Sequence, residues 1–212
     1  MENKIGHFME NYTWNYVHSN FHSGNVLLEY TKYNKEWYIG DLGLSQPANV
    51  TSSNDELHGI IPYIAPEIFL GENFTQVSDV FSLGMVMWEL TTGCKPFDDV
   101  EHDRTLIDEI NNGSRPEITQ DTPKCFADLM NKCWDSDPSK RPLTTEIIEI
   151  IDDLFSEMNA EEFALSEKKR IELTQTMKLG PEFNKKPHPK AIFISRPLGS
   201  FIAKSSSTIT YT

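Results

Sequence analysis

The densest apolar run in the chain is Val80-Phe81-Ser82-Leu83-Gly84-Met85-Val86-Met87-Trp88, which continues to Leu90 and stops at Thr91-Thr92-Gly93. Its length and terminal glycine predict a buried helix from about Asp79, with Gly93 as the left-handed stop, rather than a strand. Three further helices follow. Residues 103–111 read as a short polar one. Thr122 offers an N-cap with Pro123 at the first helical position, opening a helix through Trp134. Ile147, Ile148, Ile151, Leu154, Phe155 and Met158 fall at i, i+1, i+4, i+7, i+8 and i+11, one apolar face beginning after Thr144. Residues 160–178 predict another helix, acidic at its start (Glu161, Glu162) and basic later (Lys168, Lys169, Arg170), as the helix dipole prefers. Before the long apolar run the signals are weaker. Asn25 to Tyr30 reads as a short strand with Trp37-Tyr38-Ile39 as its partner, across a turn at Asn34-Lys35. Residues 44–62 read as loop, and the four prolines and Ser205-Ser206-Ser207-Thr208 beyond Gly180 as a disordered or loosely docked tail. The pattern is mainly α with one short β-hairpin and no internal repeat.

Composition narrows this picture. Hydrophobic residues make up 38% and aromatics 11% of the 212, enough for a core and too many for a wholly disordered chain. No apolar run approaches the roughly 18 residues of a membrane span. Met1-Glu2-Asn3-Lys4 opens no signal peptide. Cys94, Cys125 and Cys133 make no CxxC pair and no even disulfide set, which suits a reducing compartment; a cytoplasmic location is expected. The sequons at Asn11, Asn49, Asn73 and Asn112 then read as chance matches. A net charge of −13 argues against nucleic-acid and anionic-membrane partners. That charge is uneven: Lys185, Lys186, Lys190, Arg196 and Lys204 against Glu182 alone leave residues 181–212 at +4 and the rest at −17.

Three short motifs carry the chemistry. The first is His18-Ser19-Asn20-Phe21-His22-Ser23-Gly24-Asn25; Asp41-Leu42-Gly43 begins sixteen residues past Asn25, and Ala65-Pro66-Glu67 follows. In this order and spacing they resemble the catalytic loop, the DFG-type metal-binding turn and the APE motif of protein kinases. Ser78-Asp79-Val80-Phe81-Ser82-Leu83-Gly84, Trp88 to Gly93 with Pro96-Phe97, Cys133-Trp134-Asp135 and Asp137 to Pro142 continue the series. The resemblance covers roughly residues 10–158 and is nearest to tyrosine-kinase-like kinases, including expanded kinase-like families of some fungi. It implies three parts: a truncated kinase domain at 1–158, an extra helix at 159–180 and a basic tail at 181–212.

Phosphoryl transfer asks a protein for positioning and charge neutralisation. The resemblance gives Asn25 and Asp41 to Mg²⁺, a hard cation that wants oxygen ligands, and to ATP. A carboxylate two residues after the loop His18 should accept the substrate hydroxyl proton, and that position is Asn20. An amide orients a hydroxyl without taking its proton, so the general-base contribution of about 10²–10⁴ in rate is forfeited. His18 is expected as a packing and hydrogen-bonding residue of the loop. Ser19 stands where many kinases keep an Arg that holds an activation-loop phosphate. Ile60 replaces the threonine of the usual Gly-Thr-x-x-Tyr segment, and Tyr63 is retained. Glu67 and Arg141 are implied as a structural ion pair, and Asp79 as either an N-cap or an anchor for the catalytic-loop backbone. Thr51, Ser52 and Ser53 sit where activation-loop phosphosites occur.

On this resemblance the chain starts within the helix that precedes the catalytic loop. The nineteen residues before Asn20 hold no Gly-rich loop and no V-A-I-K lysine, so the expectation is a large lobe whose small lobe is missing. Such a chain is expected not to bind ATP and Mg²⁺ usefully, and to act as a pseudokinase interaction module. Its partner would be a protein, or a second copy, at the surface that faces a small lobe. The alternative is an active protein kinase whose coding sequence is truncated. Gly59 to Glu67 leans towards Ser/Thr specificity, while His22-Ser23-Gly24 matches neither class. An unrelated helical scaffold is the third class, and the reading frame upstream of Met1 would separate the first two.

Overall fold

The computed structural model describes residues 16–30, 35–48, 57–154, 156–176 and 186–201. Among these, strands are short and paired two by two. β1 (Tyr16–Val17) pairs with β4 (Gln46–Pro47), β2 (Val26–Tyr30) with β3 (Lys35–Ile39), and β5 (His58–Gly59) with β6 (Arg196–Pro197), all antiparallel. The expected hairpin is present in the register Val26↔Ile39 to Tyr30↔Lys35. Of the turn expected at Asn34-Lys35, Lys35 is already the first residue of β3, while residues 31–34 lie outside the described residues, as do Thr51, Ser52 and Ser53. The loop expected at 44–62 carries the two bridges of β4 and β5.

Helices supply the mass. They are α1 (Pro66–Phe69), α2 (Gln76–Thr92), α3 (Arg104–Asn111), α4 (Lys124–Cys133), α5 (Thr144–Leu154) and α6 (Ala160–Gln175). α2 is the buried axis, with Val80, Phe81, Met85 and Val86 each at most 2% exposed. It begins three residues before the expected Asp79. Thr75 is its N-cap: the Thr75 hydroxyl accepts from Ser78 N–H while Thr75 N–H donates to Ser78 Oγ, a capping box with Ser in place of Glu. Gly93 ends it as predicted, at φ 70° and ψ 9°, its N–H on the Glu89 carbonyl.

Three expectations are corrected. α4 starts at Lys124, and its N-cap Pro123 makes no side-chain cap bond, because the Thr122 hydroxyl is engaged with Thr119 Oγ1 at 3.1 Å. Met158, expected on the apolar face of α5, is 92% exposed, since α5 ends at Leu154 and only Ile147, Ile151 and Leu154 are fully buried on it. The tail of 181–212 is neither disordered nor loose over 186–201. There His188 N–H donates to the Asp98 carbonyl, Leu198 N–H to the Leu57 carbonyl, and Leu198 is wholly buried. Backbone pairing plus one anchoring leucine outweigh the prolines, which sit where no ladder donor is needed. Residues 181–185 and 202–212 lie outside the described set.

All three cysteines are free thiols, and burial pushes that of Cys133 up to about 12. Among the described residues no helix is long and apolar enough to cross a membrane.

Candidate functional site

The loop from His18 to Asn25 is held from below by α2. Asp79 splits its carboxylate between two backbone donors, His18 N–H at 2.6 Å and Ser19 N–H at 3.1 Å, and is itself buried. Of its two expected roles, N-cap or anchor, the structure assigns the anchor. Ser19 thereby takes a left-handed φ of 66° and leaves its Oγ buried without a partner. An orphaned hydroxyl of this kind costs about 1–3 kcal/mol, so the turn is maintained against a penalty.

His18 is held in the loop by its ring nitrogens. Its Nδ1 accepts from Asn20 N–H at 3.3 Å, so the proton sits on Nε2, which donates to the Gly40 carbonyl at 3.0 Å. Burial pushes the imidazole below its ordinary value, and its ring packs edge-on to Phe21 at 5.8 Å. A neutral ring thus ties the loop to the residue before Asp41.

Asn20, Asn25 and Asp41 do converge. Asn25 Nδ2 donates to the Asn20 carbonyl at 2.9 Å, and the Asn25 carbonyl accepts from Gly40 N–H at 2.8 Å. Asp41 adopts the left-handed region (φ 56°, ψ 60°) and opens the one-turn segment Leu42–Leu44. Asn20 Nδ2 donates to Asp41 Oδ2 at 3.4 Å. The bonds of its Nδ2 orient the Asn25 amide so that its oxygen is the group left for a cation. Hard oxygens on Asn25 and Asp41 suit Mg²⁺, which takes one or two carboxylates together with phosphate and water oxygens. Among the described residues no cluster of three or more His, Cys, Asp or Glu could hold a metal unaided. An ion held by Asn25 and Asp41 would supply charge neutralisation at nucleotide phosphates.

Glu67 and Arg141 form the expected pair. Arg141 is fully buried at its side chain and meets Glu67 through both terminal nitrogens, at 2.6 and 2.8 Å. Its remaining donors reach the carbonyls of Asp135 and Val77, and its plane lies 5.2 Å over the Phe81 ring.

Two participants carry no signal in the sequence. Lys95 Nζ donates to Ser23 Oγ at 2.8 Å and to Glu89 Oε1 at 2.6 Å, placing a cation beside the loop whose His22 occupies the Ser/Thr-kinase lysine position. Glu89 also accepts from the Tyr63 hydroxyl at 2.5 Å, and burial, reinforced by Glu89, raises Tyr63 far above its ordinary value. The second participant is Ser195, whose Oγ donates to Asn20 Oδ1 at 3.2 Å. Neither contact is local: Lys95 lies 72 residues from Ser23, and Ser195 lies 175 residues from Asn20.

Residues 7–151 match a family model described as protein tyrosine and serine/threonine kinase. The human mitogen-activated protein kinase kinase kinase 7 is 36% identical over 114 residues, 53% of this chain and 18% of that protein. Two probable serine/threonine-protein kinases of Dictyostelium discoideum are 34% and 31% identical over 151 and 152 residues, covering 65% and 66% of this chain and 6% and 8% of theirs. The matched region therefore spans less than a fifth of the length of each of these relatives.

Proposed function

The chain belongs to the protein tyrosine and serine/threonine kinase family, and from that premise we propose that it works as a pseudokinase, a kinase-type domain that binds proteins without transferring phosphate. The observation that carries the reading is the double engagement of Asn20, which donates to Asp41 and accepts from a serine hydroxyl. A base must take the acceptor proton as the oxygen attacks, and an amide oxygen cannot hold it near neutral pH. The position keeps the orienting half of the task and drops the proton-transfer half. Ser19, in place of an arginine, likewise lacks the cation that would pair with an activation-loop phosphate.

Weak use of ATP·Mg²⁺ belongs to the same reading, because two oxygen ligands hold an ion only together with a well-seated phosphate. Protein contact is then the remaining activity. Besides the Asn20 edge, the β2–β3 hairpin and the turn after Asp41 offer Leu27, Leu28, Tyr38, Leu42 and Leu44 to solvent, a surface suited to a protein partner or a second copy. The retained Asn25, Asp41, Glu67 and Arg141 favour the second reading, an active kinase specific for Ser or Thr as in the relatives' names.

The test is radiolabelled phosphate transfer from ATP·Mg²⁺ to a generic protein substrate. The full chain should stay at background, with an ATP dissociation constant weaker than about 100 μM by calorimetry, equivalent to about 5.5 kcal/mol. Incorporation that disappears in Asp41→Ala would overturn the pseudokinase reading in favour of the second.

A further inference from the structure

Residues 186–201 follow a defined course across the site. Lys190 closes on Glu101 through both carboxylate oxygens at 2.9 Å, and its carbonyl accepts from His102 N–H. Ile192 N–H donates to His102 Nδ1 at 3.0 Å, which leaves His102 Nε2 to donate to the Phe97 carbonyl. Phe193 packs edge-on to His102 at 4.8 Å and lies 5.9 Å beneath Lys95 Nζ, the same ammonium that holds Ser23. Then Ser195 meets Asn20, Arg196 donates to the His102 carbonyl at 2.8 Å and pairs with Gly59, and Leu198 enters the buried cluster that contains Leu57, Ile60 and Ile64. Ile194 and Pro197 point to solvent, with the chain bending at Ile194 between Phe193 and Ser195.

The two-residue pairing of β5 with β6 gives a main-chain grip of the strand-addition kind, and Phe193, Ser195 and Leu198 give the selection. Gly59, the partner of Arg196, packs closely on the body. At φ 156° it lies at the limit of the region that L side chains rarely adopt, and a Cβ there would lie 2.7 Å from Ile64 Cδ1 and 3.8 Å from Asn20 Oδ1. Ser195 carries the only hydroxyl between Lys190 and Leu198, and it stands where Asn20 receives it.

We propose that the surface formed by Asn20, β5 and residues 97–102 is a peptide-binding site whose resident ligand is this chain's own segment Lys190–Leu198, seated as an acceptor peptide would be. The ligand it takes is an extended strand with an aromatic residue two positions before a hydroxyl and a leucine three positions after it. The inference rests on reading Asn20 as the acceptor-hydroxyl position. While the segment is seated, a peptide of the same pattern is excluded from binding in trans.

A fluorescein-labelled peptide of residues 188–201, titrated by anisotropy against the full-length chain and its Leu198→Ala variant, tests this. The variant should bind the peptide about thirtyfold more tightly than the wild type, the equivalent of about 2 kcal/mol of lost leucine burial. A peptide with Ser195 and Leu198 both replaced by Ala should bind neither protein. Equal affinity for the two proteins, or no binding by either, would overturn the proposal. Because Leu198→Ala could weaken the fold itself, amide hydrogen exchange on the wild type gives a second measure. The Ile192 and Leu198 amides should exchange slowly and speed up when the unlabelled peptide is added in excess; free exchange at both in its absence also overturns it. Neither measurement contains nucleotide. A positive phosphotransfer assay would therefore sink the pseudokinase reading without touching these results.

Discussion

Two parts of the site sit within a few residues of one another and differ in kind. The frame consists of Asp79 under the loop, His18 bridging to Gly40, and the Glu67–Arg141 pair, all with buried polar groups satisfied by named partners. The edge consists of Ser19, Asn20, Asp41 and the β2–β3 hairpin, where a hydroxyl is orphaned, an amide fills a carboxylate's place and large apolar side chains face solvent. The frame has the residue types that the kinase family uses for architecture. On the reading proposed above, the edge departs from the types that it uses for chemistry. The two parts differ in what a change costs: buried charges are costly to change, while an exposed carboxylate such as that of Asp41 costs little stability when altered.

The largest effect should come from the frame. Glu67→Gln leaves the fully buried Arg141 guanidinium with an amide in place of its counter-charge, and stability should fall by about 3–5 kcal/mol in chemical denaturation. The same substitution type at the edge, Asp41→Asn, should change stability by no more than about 0.5 kcal/mol, since Asp41 is exposed, Asn adopts its left-handed backbone as readily, and an amide oxygen can still accept from Asn20. Similar losses at both positions would dissolve the distinction between frame and edge.

The frame was also the part legible in the sequence, for a reason that concerns range. Asp79 and His18 are 61 residues apart, and Glu67 and Arg141 74 apart. No periodicity argument joins them; only the ordered motif series does. Helix α2 was legible from its apolar run, but its start was not, because its capping box uses Ser78 where the usual signature has Glu or Gln. Thr122 failed as a cap because Thr119, three residues back, competes for its hydroxyl. Lys95 was invisible, and the tail's docking was one open alternative with no named contact. Their partners are remote, and the tail's grip is mostly main chain, which leaves no trace in side-chain pattern. A tail rich in Pro and Lys reads as linker until one leucine, Leu198, is found to be fully buried.

A smaller effect concerns the segment that joins the two parts. His102 accepts from Ile192 N–H through Nδ1, and burial lowers its basicity, helped by the Arg196 charge and opposed by Asp98 and the two carbonyls that it faces. A histidine whose folded value lies below its unfolded one adds stability at pH above the unfolded value, about 6.5, and loses it as pH falls through the folded value. Protonation also removes the Nδ1 acceptor from the Ile192 N–H, leaving Nδ1 only the Ile192 carbonyl at 3.0 Å to donate to. Release of the tail, read as exchange of the Ile192 amide, should therefore be greater at pH 5 than at pH 7.5. His102→Gln should flatten that dependence. A pH-independent release would remove His102 from the tail's attachment.

The smallest effect on stability, and the sharpest probe of the edge, lies on the hairpin. Leu27 is 52% and Leu42 63% exposed, so replacing both by Ser removes little buried area and should shift stability by no more than about 0.5 kcal/mol each. Association is another matter. Leu27 lies opposite Tyr38 on one face of the hairpin, and Leu28, Leu42 and Leu44 are exposed beside it; exposed apolar side chains gathered in this way mark contact sites. The net charge of −13 opposes contact between copies but is screened beyond roughly 8 Å at physiological salt. Wild-type protein should elute above its 24.3 kDa monomer mass by light scattering at micromolar concentration and bind a hydrophobic dye, and the double variant should do both less. The response to salt separates causes, since screening −13 should strengthen self-association that apolar contact drives and weaken association that opposite charges drive. A wild-type monomer without dye signal at any salt would mean that this face makes no protein contact of its own, leaving the Asn20 edge as the seat of whatever binding the domain performs.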